Sequence, residues 1–250
     1  MNYSIVEEGI LPSRGKIYSM PVNPNIKIRS MTTEEEMRRL APSQDAYKTL
    51  CDIIDACLIE NPGISSYDMC MADYKYLLHK LRIVTYGSDY PTVSICPYCA
   101  NENTIITSLD NLPIKDFNEE DYASSVEFTL PRTGKRIKLV MQSPRIMDYV
   151  ESASKELTKK SNGLAGDSAF LFTVQELIDT VDGQILDVIQ KEKFVRSLPM
   201  MDTNYIVKKS EKLVGSFGVD TSLTHRCKLC GLDYTTFFRY TKEFFGPTID

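Results

Sequence analysis

Ser94-Ile95-Cys96-Pro97-Tyr98-Cys99-Ala100-Asn101-Glu102-Asn103-Thr104-Ile105-Ile106-Thr107 decides how this chain is read. β-Branched residues flank a short polar turn carrying a pair of cysteines, the composition of a hairpin with a C-x-x-C motif at its tip. A second pair, Cys227-Lys228-Leu229-Cys230, is followed by Gly231 in another extended stretch, 219–245. Two residues between cysteines let a tight turn aim both sulfurs at one ion, and a following glycine eases the left-handed backbone of such turns. One pair supplies half of a tetrahedral site, and two pairs supply a closed one. The expectation is one structural Zn2+ held by Cys96, Cys99, Cys227 and Cys230, in a zinc ribbon whose halves are separated by a large insertion. The separation does not forbid it. Loop-closure entropy costs only about 0.6 kcal/mol per doubling of length, whereas a structural zinc contributes on the order of 10 kcal/mol in small finger peptides.

Outward from the cysteines, the periodicity predicts an α+β chain. Ile26-Lys27-Ile28-Arg29 alternates apolar with basic, as a short strand does. Thr32 with Glu35, or Thr33 with Glu36, forms a capping box that opens a helix ending before Pro42. Ser43 or Asp45 can cap the next helix, in which Ala46, Leu50, Ile53, Ile54, Cys57 and Leu58 share one face. A third helix is expected over 66–85. Beyond the first ribbon hairpin, Val126, Phe128 and Leu130 alternate, as do Ile137, Leu139 and Met141, giving a second hairpin. Ser143-Pro144 then places an N-cap and a first-turn proline at the start of a helix stopping at Asn162-Gly163. Further helices are expected over 169–180, 191–197 and 202–214. The domain reading is 1–90 for the strand entry and helices, 91–112 for the first ribbon half, 113–218 for the inserted α/β region and 219–250 for the second ribbon half.

Composition narrows the function classes. The chain has 250 residues, 42% hydrophobic and 25% charged, which is globular composition large enough to bury a core without disulfides. Lys+Arg number 29 against 34 Asp+Glu, a net charge of −5 that offers no bulk attraction to phosphate backbones or anionic lipid. No apolar run approaches the roughly 20 residues that span a bilayer, and Met1-Asn2-Tyr3-Ser4 does not open a secretory signal. A soluble, unsecreted protein is expected, with no membrane partner. Its 7 cysteines are an odd number, which in a reducing compartment favours metal or redox chemistry over a disulfide framework.

Cys96-Pro97-Tyr98-Cys99 is also the glutaredoxin active-site tetrapeptide, but the polar and β-branched residues after it suit a returning strand, leaving no helix dipole to activate Cys96. Cys51, Cys57 and Cys70 read as small apolar core residues. His225 reads as a solvated strand histidine and His79 as a surface or boundary residue; neither accompanies a nucleophile, so no enzyme activity and no small-molecule substrate are expected. The acidic cluster Asp116, Glu119, Glu120 and Asp121 lies in a polar linker and reads as a solvated face, not a metal site. Phe237, Phe238, Tyr240, Phe244 and Phe245, interleaved with Arg239 and Lys242, read as ribbon core plus a partner-binding patch in preference to a base-stacking surface. A zinc-ribbon nucleic-acid or transcription-associated module stands as the alternative function.

Several motifs together resemble the baseplate hub assembly proteins of T4-like contractile-tailed bacteriophages. They are Leu11-Pro12-Ser13-Arg14-Gly15-Lys16-Ile17-Tyr18, Ile26-Lys27-Ile28-Arg29-Ser30-Met31-Thr32-Thr33-Glu34-Glu35-Glu36, Asp73-Tyr74-Lys75-Tyr76-Leu77-Leu78 with Leu81-Arg82, Tyr86-Gly87 before the first cysteine pair, and Phe128-Thr129-Leu130-Pro131. The resemblance implies a non-enzymatic assembly factor, a chaperone or assembly catalyst that binds hub or tail proteins during virion morphogenesis. It implies action in the host cell cytoplasm and a place in the virion tail or baseplate. It transfers no catalytic residue, and the zinc expectation rests on the cysteines alone.

Overall fold

The computed structural model describes residues 5–43, 45–161, 167–238, 240 and 242–245. Along the first part of the chain run β1 (Val6–Ile10), β2 (Asn25–Arg29), α1 (Thr33–Leu40), α2 (Ala46–Cys57) and α3 (Met71–Tyr86). Then come β3 (Asp89–Ile95), β4 (Glu102–Ser108), a 3-10 turn (Leu109–Asn111), β5 (Ile114–Lys115), α4 (Glu119–Val126), β6 (Glu127–Thr129) and β7 (Arg136–Leu139). The remainder is α5 (Pro144–Lys160), α6 (Ser168–Leu177), β8 (Ile178–Val181), α7 (Val188–Ser197), α8 (Met200–Val214), β9 (Gly218–Val219), β10 (Ser222–Arg226), β11 (Asp233–Phe237) and a last 3-10 turn (Lys242–Phe245). The strands form antiparallel pairs β1–β2, β3–β4, β5–β9 and β10–β11, with one three-stranded antiparallel sheet, β6–β7–β8. Helices with small separate sheets agree with the α+β expectation.

The larger core is built around α3. Leu77 and Leu81 from α3, Ile53 and Ile54 from α2, Ile26 and Ile28 from β2, and Leu11 before them all lie inside it. α3 carries apolar residues on several faces and is enclosed accordingly. A buried carboxylate ties its start to the preceding loop: Asp73 accepts from the Ser13 backbone N–H at 2.9 Å, the Ser13 hydroxyl at 2.5 Å and the Tyr18 hydroxyl at 2.6 Å. Burial pushes the Asp73 carboxyl up, against these three donors, which favour its charged form. Ser13, Tyr18 and Asp73, from two separate sequence motifs, thus meet in one contact. The second core fills the space between β6–β7–β8 and α6 to α8, with Ile137, Leu139, Val174, Leu177, Ile178 and Ile206 at its centre.

Local signals behave as their physics requires. Thr32 and Glu35 form the capping box of α1, and the Arg29 guanidinium at 2.8 Å holds the Glu35 carboxyl well below the usual range, at about 2. Ser143 caps α5 with Pro144 in its first turn. The expected stop at Asn162-Gly163 lies outside the described residues, as do Met1 to Ser4 and Arg239.

Four expectations are corrected. Asp45 stands at the N-cap position of α2 without a side-chain hydrogen bond. Instead, buried Asp148 of α5 accepts from the backbone N–H groups of Tyr47 at 3.3 Å and Lys48 at 2.9 Å. The helix expected over 169–180 ends at Leu177, where Ile178-Asp179-Thr180-Val181 becomes β8 because its apolar ends fit beside Ile137 and Leu139 of β7. The acidic cluster is the solvated face expected, but it is not a linker: Glu119, Glu120 and Asp121 open α4, which Asn118 caps by accepting from the Glu120 and Asp121 N–H groups, and Arg14 and Lys16 pair with Asp116 and Glu119. His79 is buried, not at the surface. Its Nε2 lies 3.0 Å from the Leu109 carbonyl, and burial brings its pKa down to about 4.

Candidate metal centre

The β3–β4 and β10–β11 hairpins, one from the middle of the chain and one from its last part, bring the two cysteine pairs together. Their turns are built alike. In the first, Ala100 N–H donates to the Cys96 carbonyl at 2.9 Å and Cys96 N–H to the Asn101 carbonyl at 2.9 Å. In the second, Gly231 N–H donates to the Cys227 carbonyl at 3.0 Å and Cys227 N–H to the Leu232 carbonyl at 2.9 Å. The residue after each second cysteine takes positive φ, +57° at Ala100 and +72° at Gly231. Glycine adopts that region freely, whereas Ala100 holds it at a steric cost.

The sulfurs of Cys96, Cys99, Cys227 and Cys230 all lie within 4.8 Å of one another. Cys96 Sγ is 3.8 Å from Cys230 Sγ, and Cys99 Sγ is 3.5 Å from Cys227 Sγ. Four sulfurs at about 2.3 Å around one tetrahedral ion stand roughly 3.8 Å apart, so this spacing fits a four-thiolate metal site. Electrostatics point the same way. Backbone N–H groups of Cys230 and Leu229 hold the Cys227 thiol down to about 6. The Asn101 N–H acts to lower Cys99 as well, yet burial and the neighbouring cysteines push it up to about 12. Thiolates this close repel one another, and a cation at their centre relieves that repulsion.

Sequence reasoning missed the residues that brace the cluster. Buried Asn103 of β4 accepts from the Lys228 backbone N–H at 3.0 Å and directs its Nδ2 toward Cys227 Sγ at 3.7 Å, joining one hairpin to the other's turn. The Ser94 and Tyr234 hydroxyls meet at 2.7 Å behind it. Asn103 sits near the cysteines in sequence, but only the pairing of the hairpins gives it this role. His225 is a correction: it is buried, packed edge-on against Tyr234, and lies outside the ligand cluster.

The aromatic patch divides. Phe237 is exposed, whereas Phe238, Phe244 and Phe245 are buried in the larger core and half-buried Tyr240 packs against it, so these four are core residues and not part of one exposed patch with Phe237. Tyr90, Phe238, Tyr240 and Phe244 meet as a chain of tilted and edge-to-face rings, with centroids 5.0 to 5.6 Å apart. The side chain of Lys242 lies outside the described residues. Among the described residues, no helix is long and apolar enough to cross a membrane.

Comparison with known proteins supplies one match. A family model described as T4 bacteriophage base plate protein matches residues 2–246. No curated protein and no solved structure matches the chain.

Proposed function

The chain belongs to the T4 bacteriophage base plate protein family, and from that premise we propose that it is a non-enzymatic assembly factor for the phage baseplate. It binds hub or tail proteins during virion morphogenesis, as a chaperone or assembly catalyst, first in the host cytoplasm and then at the tail or baseplate. The observation that carries this reading is the family match over nearly the whole chain. Such a factor acts by holding partner surfaces in a productive orientation and so raising their effective concentration.

Within this reading, Cys96, Cys99, Cys227 and Cys230 hold one structural zinc that completes a split ribbon. The all-sulfur donor set and its spacing support a closed structural site, since a catalytic zinc keeps an open coordination position. The metal pins the C-terminal hairpin to the β3–β4 hairpin and so fixes the surfaces on either side of them.

The test is genetic and structural. Phage carrying a stop codon early in this gene should accumulate baseplate intermediates lacking a complete hub, and supplying the chain in trans should restore complete baseplates. Normal baseplates in its absence would refute the assembly role. Elemental analysis of the purified protein should find one zinc per chain.

A further inference from the structure

Two cavities, about 540 and 450 Å³, share Lys75 of α3 and Thr221 as common walls and therefore form one groove. Both fall within the size range of ligand sites, roughly 300 to 1,000 Å³. The smaller is lined by Tyr47, Tyr74, Phe238, Tyr240, Phe244 and Phe245 among others, and among the described residues Lys75 is its only charged wall residue. The larger runs past Phe217 and the exposed Phe237. Its other lysine, Lys115, is paired with Asp220 at 3.2 Å, and its Glu211 is exposed to solvent.

The charge at the junction is unanswered. Lys75 is half-buried, burial alone lowers its pKa, and no described residue forms an ion pair with it. In the smaller cavity the Tyr240 hydroxyl is buried and has no hydrogen-bond partner among the described residues. A desolvated ammonium and an unused hydroxyl beside aromatic walls are complementary to a carboxylate attached to apolar groups.

We propose that this groove binds an extended segment of a partner protein in which an acidic side chain lies between two apolar ones. The acid meets Lys75, one apolar side chain enters the aromatic cavity beside Tyr240, and the other lies along Phe217 and Phe237. The position of the charge selects a peptide over a fatty acid. A fatty acid carries its carboxylate at one end, whereas Lys75 stands between two cavities and asks for a charge in the middle of the ligand. The inference rests on the assembly reading for its choice of a protein partner, and it names what that partner must present.

The experiment uses the full chain and a blocked, fluorescently labelled peptide, Leu-Phe-Glu-Phe-Leu, with its Leu-Phe-Gln-Phe-Leu counterpart. Fluorescence anisotropy should give the Glu peptide about tenfold tighter binding, as expected for a charge-assisted contact. Lys75→Met should erase that preference, Lys75→Arg should keep most of it, and Phe237→Ala should weaken both peptides alike. Lys75→Met should fold at least as well as the parent, because it removes a desolvated charge. Equal binding of the two peptides, no binding of either, an unchanged preference in Lys75→Met, or displacement by dodecanoate more effectively than by unlabelled Glu peptide would each overturn the proposal. The two readings fail separately. Peptide discrimination by a chain whose loss leaves baseplates intact would sink the assembly role alone. Normal baseplates assembled with Lys75→Met, together with no discrimination, would sink the groove alone.

Discussion

Ala100 and Gly231 occupy the same place in twin turns, and the pair shows what each residue contributes at the candidate metal site. Both turns make the same backbone hydrogen bonds, so positive φ is demanded by the fold and tolerated by alanine in one of them. Gly231→Ala should therefore keep the metal and cost only about 1 kcal/mol, read as a small fall in melting temperature with unchanged metal content. Cys230→Ser, which removes a ligand without adding strain, should lose the metal; a Gly231→Ala protein that loses it too would show that the turns are not equivalent. His79 makes a second residue-level prediction. Burial lowers its pKa to about 4, so the neutral ring favours the fold above its ordinary value, and that contribution disappears as pH falls. Between about pH 6.5 and 4 the parent should lose stability to denaturant faster than His79→Gln does. Identical slopes for the two proteins would exclude His79 as the source. The cysteine pairs were legible in the sequence because ligand spacing is a local property. The burial of His79 was not, because the 3-10 turn that covers it, Leu109–Asn111, comes from the far side of the first cysteine hairpin.

At the level of elements, the signals readable from sequence were those whose partners are close in the chain. The Thr32–Glu35 box and the Ser143-Pro144 start are formed within a single turn and were found. The α2 start was placed at the right residue, Asp45, but its side-chain acceptor was not legible, since it is Asp148, about a hundred residues away on α5. That carboxylate does two jobs: it satisfies otherwise free N–H groups and joins α5 to α2 at the positive end of the α2 dipole. Asp148→Ala should destabilise the protein by roughly 2 kcal/mol, near the upper end for a lost helix cap. Asp148→Asn, which retains an acceptor without the charge, should cost less. Urea unfolding of the two variants measures both values, and an Asn variant as unstable as the Ala variant would show that charge, and not the hydrogen bonds, carries the contact. β8 was missed for a related reason. Ile178-Asp179-Thr180-Val181 continues an apolar helical pattern, and only the open edge of β7 makes a strand the better use of its residues.

For the molecule as a whole, the ends of the chain close on its middle, and that closure was only half visible in the sequence. The cysteine pairs announced a link between the two hairpins. Nothing local announced that Phe238 and Phe244 would enter the core behind them, where the fully buried Arg82 of α3 donates through Nε to the Phe244 carbonyl at 2.8 Å and through Nη1 to the Gly87 carbonyl at 2.8 Å. An aromatic run near a terminus reads equally as core or as surface, and the deciding fact is a guanidinium distant in sequence. The C-terminal hairpin is therefore held at two places, by the sulfur cluster at its tip and by aromatic packing at its base. The second core, around Ile137, Ile206 and Leu213, shares neither attachment. If a metal closes the cluster, removing it frees the tip, because sulfurs within 4.8 Å of one another then lose the ion that holds them together. Hydrogen exchange after chelation should then show early loss of protection at the cysteine ends of β10 and β11, ahead of the Phe238 amide at the base, which donates to the Thr221 carbonyl at 2.7 Å. Protection in β7 and α8 should persist, because their hydrogen bonds belong to a core the metal does not close. A uniform loss across both cores would mean that the cluster stabilises the entire chain as one cooperative unit, and the two-place attachment would have to be abandoned.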